Sequence, residues 1–246
     1  MYNEYAYISV RRREMRMRTV SGKRRGFSLA ELLTVLGIIG VLVTLAVPAL
    51  KGVSESGAMT QALTRIGGTL DQARAYAVAN NTHAWVAFTE NAESGESWVE
   101  MVAFASRTGL GFDTGSANAA VQYPQDARIE LISPVEKIRQ IRLDGAIPEE
   151  NALNSDDALP QAKEVADFAA ADRGLHLQIK DKAYTRSIHF HPGGEASITT
   201  AIPEVIQIVV MPEKNAGATP SERDRRQATV IRVSGLTGQA IIYQPR

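Results

Sequence analysis

Apolar side chains are densest between Phe27 and Leu50, 24 residues that carry one charge, Glu31, and two threonines. At about 1.5 Å rise per residue, a helix of this length matches the roughly 30 Å hydrocarbon core of a bilayer. Glycine and proline inside such a segment are tolerated as they would not be in a soluble helix. Beyond Leu50 the pattern narrows to a single stripe. Met59, Ala62, Leu63, Ile66, Leu70, Ala73 and Ala77 recur at helical spacing, with Gln61, Arg65, Asp71, Gln72 and Arg74 off that face. This predicts an amphipathic continuation, with a bend allowed at Gly67-Gly68 and a stop at Asn80-Asn81.

From residue 84 the period shortens. Runs with strand character cover Ala84–Phe88, Trp98–Ser106, Arg128–Ile132, Lys137–Leu143, Leu175–Ile179, Arg186–Phe190, Ile206–Met211, Ala228–Val233 and Ala240–Tyr243, separated by Gly, Pro, Asn and Asp. Between them, Pro148 to Asp157 reads as an acidic loop, Gln161–Ala171 as a short Ala-rich helix, and Glu213–Arg226 as a mobile polar connection. No internal repeat is visible. A long helix followed by strands is an α+β order.

Charge changes the picture at one end. Lysine plus arginine and aspartate plus glutamate number 27 each. Residues 1–26 hold eight basic and two acidic side chains, so the remainder holds 19 and 25 and is net −6. A basic flank before an apolar span keeps that end in the cytoplasm and sends the rest across. The acidic remainder gives no general attraction to nucleic acid. The chain has no cysteine, which excludes disulfides, thiolate catalysis and Cys-ligated metals. Glu31 is costly where it stands. A carboxylate at the centre of a spanning helix costs roughly 2.5–3.5 kcal/mol, less near an end.

Gly26-Phe27-Ser28-Leu29-Ala30-Glu31-Leu32-Leu33 resembles the type IV prepilin cleavage and methylation motif. The resemblance implies a cut between Gly26 and Phe27 by a membrane prepilin peptidase, then methylation of the new Phe27 amine. It implies that Glu31 supports methylation and docking between subunits, and that Pro48 is the proline that kinks the helix. Glycine before the cut presents no side chain to a protease at the membrane face. Glu31 lies one helical turn beyond Phe27, so a neighbouring subunit's ammonium could pair with it. Within that family the head is most similar to the H-type, FimT-like minor pseudopilins. Ala73–Asn81 with Trp85–Phe88 resembles their helix end and first strand. Ile188–Gly194 resembles their F-x-P-x-G turn, and Val230–Gln239 their final hairpin with its T-G turn. There is a weaker similarity to the Verru_Chthon cassette protein D group.

The expected architecture is a pilin-like α+β fold, a long transmembrane and spine helix packed on an antiparallel β-sheet head. Its parts are a basic leader (1–26) that is removed, a membrane and filament-core helix (27–50), its amphipathic continuation (51–82) and a periplasmic head (83–246). The resemblance implies a structural subunit, a minor pseudopilin of a type II secretion pseudopilus or related pilus, anchored in the inner membrane. Its implied partners are prepilin peptidase, other pilin-like subunits and inner-membrane lipid; nucleic acid is not expected. The rival readings are a FimT-like minor pilin that captures DNA and an anchored head outside any filament.

No catalytic constellation is legible, and neither a cofactor nor a metal is expected. His189 and His191 alternate along one strand, a permissible metal pair with Glu195 just past the turn and His83 and His176 as further ligands. The blander reading is a solvated strand face. Ser234–Gly238 lacks the lysine and spacing of a phosphate loop and reads as a hairpin turn. Arg223, Arg225 and Arg226 are diluted by Glu222 and Asp224 and read as a solvated loop. Glu149-Glu150 with Asp156-Asp157 lacks an EF-hand pattern.

Overall fold

The computed structural model describes residues 28–112, 120–154, 159–168, 175–213 and 217–245, the side chains of 45–56 excepted. The chain divides into two units, Met1–Ala49 and Leu50–Arg246. Helix α1 (Leu29–Asn80) begins in the first and ends in the second. Its start is set by a reciprocal cap, in which the Glu31 amide donates to Ser28 Oγ at 3.2 Å and the Ser28 amide to the Glu31 carboxylate at 3.4 Å. In the first unit every described side chain of α1 is exposed, including Leu29, Leu32, Leu33, Leu36, Ile38, Ile39 and Leu42. The helix stops at Asn80 because Asn81 turns left-handed, φ 48°. Gly67 and Gly68 stay helical, so the allowed bend there is not used by the backbone.

The second unit is built around one sheet with both faces buried. Strand β1 (Ala84–Glu93) pairs with β2 (Glu96–Ser106), which also carries β4 (Ile129–Leu131) and β5 (Glu136–Arg139). On the other side β1 pairs with β10 (Arg186–Phe190), followed by β11 (Ala196–Ser197). A second sheet has the order β14 (Ala240–Tyr243), β13 (Thr229–Ser234), β12 (Val205–Pro212) and β6 (Ile141–Asp144). Strand β7 (Val165–Asp167) joins β12 in parallel. A third, small sheet holds β3 (Ala120–Tyr123), β8 (His176–Ile179) and β9 (Lys182–Tyr184), with β3 and β8 parallel. The head is thus antiparallel except for these two pairings.

Alternation assigns the two faces. Ala84, Val86 and Phe88 with Ile188 and Phe190 pack on the α1 stripe of Ala62, Leu63, Ile66, Leu70, Ala73 and Ala77, closed by Ile206, Ile208, Val210, Ile231 and Val233 of the second sheet. Trp85, Ala87, Val102 and Phe104 point the other way, onto Val121, Leu177 and Tyr184 of the small sheet. A third cluster covers the back of the second sheet, with Val209, Met211 and Val230 under Leu153 and Leu159. Side chains lock these layers. Arg74 Nε donates to the Thr237 carbonyl at 2.6 Å and Gln72 Nε2 to that of Ile132 at 3.1 Å, while Tyr76 Oη bonds the Glu130 carboxylate.

Three expectations are corrected. Residues 161–168 form no helix; their middle is β7, because pairing with β12 satisfies its backbone and Phe168 is buried beneath it. The run Lys137–Leu143 is two strands, since Gln140 takes φ 62° and sends β5 and β6 to different sheets. The polar connection contains a helix, α2 (Glu222–Arg226), under a Ser221–Asp224 capping box. Residues 155–158, which include Asp156 and Asp157, lie outside the described residues, as do 169–174.

Candidate functional site

Gly26 and Phe27, the expected cleavage pair, lie outside the described residues, and so does the side chain of Pro48. Glu31 is described. Its carboxylate closes the Ser28 cap in the first turn of α1 and so stands at the helix's positive end, where an anion is favoured by the macrodipole. In sequence Glu31 is four residues beyond Phe27, whose amide nitrogen cleavage would convert to an amine. The S-x-x-E spacing of Ser28 and Glu31 is a readable capping signature. It gives Glu31 a local structural role beside the assembly role the resemblance implies. Among the described residues no helix is long and apolar enough to cross a membrane. The described side chains of the apolar segment end at Thr44, short of the roughly 20 residues a span needs.

The histidine pair does not lie on a solvated face, as the blander reading held. His189 is 8% exposed and stacks on Trp85 with ring centroids 4.6 Å apart. Burial first, then the charges of His191 and His83, hold its pKa well below the usual imidazole range. His83 and His191 are half-buried, and burial lowers both as well. His83 joins the pair, while His176 and Glu195 do not. The pairing of β1 with β10 brings them together across more than a hundred residues, which no local spacing reveals.

A further polar group lies in the second core and was not anticipated. Glu100, 5% exposed, receives Trp98 Nε1 at 2.8 Å, Lys182 Nζ at 2.5 Å and Tyr184 Oη at 3.2 Å. Burial pushes its pKa up, but the Lys182 and Trp98 bonds, the Lys182 charge and the Tyr184 bond together bring it below the usual value. Alternating apolar neighbours on β2 were the only signal, and a lone Glu among them reads as exposed. The basic residues of α2 are partly paired, Arg225 with Glu150 at 3.1 Å and Arg226 with Glu222 at 3.9 Å. Ser234–Gly238 is a hairpin turn with Gly238 at φ 65°, where a Cβ would strike the Gly194 carbonyl.

Residues 21–47 match the family model of the prokaryotic N-terminal methylation motif. No curated protein and no solved structure matches the chain. The match spans Lys23, Arg24, Arg25, Gly26, Phe27, Glu31 and most of the apolar segment. Over residues 21–47, then, the chain carries the methylation motif of prokaryotic proteins processed as type IV pilin-like subunits.

Proposed function

We propose that this chain is the precursor of a pilin-like structural subunit, cut between Gly26 and Phe27 by prepilin peptidase and methylated on Phe27. Residues 27–50 hold it in the inner membrane before assembly and line the filament afterwards, and the head stands on the periplasmic side. Its finer assignment is a minor pseudopilin of H type. The single observation that carries this reading is the methylation-motif match over residues 21–47. The exposed leucine and isoleucine side chains of α1 from Leu29 to Val43 support it, because an apolar surface of that extent needs lipid or neighbouring subunits to cover it. Glu31 in the first turn supports it too, as an acid four residues along the sequence from the amine that cleavage would create.

The test is processing. Co-expressed with a prepilin peptidase, the precursor shifts to a smaller membrane species whose first residue, by mass spectrometry, is N-methylated Phe27. Gly26→Val blocks the shift, since a β-branched side chain crowds the protease site. An N-terminus at Leu50, as left by an ordinary signal peptidase, overturns the reading.

A further inference from the structure

Three of the chain's four histidines meet at one place. Strands β1 and β10 set Trp85 opposite His189 and Ala84 opposite Phe190, and His83 and His191 each follow one residue beyond that last pair. Residues two apart on a strand share a face. Trp85, His83, His189 and His191 therefore form one block on the face turned away from α1. Ring centroids are 4.0 Å apart for His189 and His191, 4.9 Å for His83 and His189, and 5.5 Å for His83 and His191. One ring nitrogen from each lies within 4.8 Å of the other two, and His83 Nδ1 is 2.8 Å from His189 Nε2. The cluster has one inner ring, His189, and two that solvent can reach.

We propose that His83, His189 and His191 form a binding site for one divalent transition-metal ion of the zinc class, with a fourth position open to solvent. Imidazole donors select zinc, copper and nickel, whereas magnesium and calcium require oxygen ligands, and among the described residues the cluster contains no carboxylate. A tetrahedral ion about 2.0–2.1 Å from each nitrogen holds its donors roughly 3.3–3.4 Å apart. The present spacings run from 2.8 Å to at most 4.8 Å, so they straddle that value. Rotation of the two half-buried rings closes the difference while Trp85 keeps His189 fixed.

The hydrogen bond between His83 and His189 marks the place. One of those nitrogens carries a proton and the other a lone pair. When the ion enters, the donor ring moves its proton to its other nitrogen and both lone pairs face the metal. The neutral cluster loses no proton in the exchange. Ser197 Oγ, 3.0 Å from His191 Nε2, is placed to accept from that nitrogen, leaving Nδ1 as the donor to the ion. Gly111 lies against the His83 ring, where a Cβ would sit 3.4 Å from it.

The test uses the full chain in detergent, purified without a histidine tag and stripped with chelator. Zinc chloride titrated by calorimetry should give one site per chain. Copper(II) should quench the Trp85 fluorescence with the same stoichiometry, and cobalt(II) should give the intense visible bands of a four-coordinate nitrogen site. His83→Gln and His191→Gln should each weaken zinc at least about tenfold, with the metal-free circular dichroism unchanged. His176→Gln should bind as wild type. No saturable zinc binding below about 100 µM, or undiminished binding in the His83→Gln/His191→Gln double variant, overturns the site. Absence of the cobalt bands in the wild-type chain does so without any variant.

Discussion

Glu31 has one observed duty and one that we propose. Its carboxylate caps its own helix through Ser28, and under the proposed function it would pair with a neighbouring Phe27 amine in the filament. An unpaired carboxylate in an apolar filament core would cost several kcal/mol, and an ammonium partner offsets much of that. Glu31→Val is expected to leave insertion and cleavage intact, and to reduce Phe27 methylation, crosslinking to other pilin-like subunits and filament-dependent secretion. Ser28→Ala removes the cap and keeps the carboxylate, so it should leave crosslinking near wild type. Wild-type methylation, crosslinking and secretion in Glu31→Val would remove the assembly role. Glu100 gives a different kind of test. Its folded pKa lies below the unfolded value of 4.5, so its contribution to stability is complete above that pH and is lost as pH falls through the folded pKa. Glu100→Gln should cost about 1–3 kcal/mol at pH 7, and urea titrations should show the gap to wild type closing below pH 4.5. Both residues are single letters in the sequence. The motif around Glu31 is local and readable, whereas two of the three partners of Glu100, Lys182 and Tyr184, come from strand β9, 82 and 84 residues away.

Elements were legible where one residue pattern sufficed to specify them. The α1 stripe reads directly from its spacing, and all six of its smaller and larger apolar members from Ala62 to Ala77 are buried. Leu70 is fully buried at its middle, between the helix and both larger sheets. Leu70→Ala should therefore lower unfolding free energy by about 2–5 kcal/mol without changing the helical signal of the folded state. The long strands were equally visible as apolar runs. Strands β3, β7, β9 and β11 were not, because each has four residues or fewer and exists only through a neighbour's unpaired edge. Gln140 explains the split of the β5–β6 run. A left-handed glutamine carries no propensity signal, and only the separate demands of two sheets impose it.

At the scale of the molecule, a continuous buried run such as Ala84–Phe88 announces that both faces of a strand are covered, but not by what. The α+β order was therefore readable, while the three-sheet layering and the meeting of His83 with His189 and His191 were not. The second unit carries its own three apolar clusters, so a chain starting near Val53 should be soluble, monomeric and cooperatively folded. Chelator should lower its melting temperature only by removing bound metal, and gel filtration with calorimetry checks both points. Aggregation of that chain would mean that the apolar N-terminal segment completes the core. The Arg74 bond to the Thr237 carbonyl joins positions 163 residues apart, and Ile231 and Val233 close the core over α1. A ribosome delivers Arg74 long before Thr237, so this core stays open until the last hairpin is made, and under the proposed export its bare sheet edges would be exposed on the far side of the membrane. How fast the late hairpin closes over α1 would then govern how much of the chain escapes aggregation.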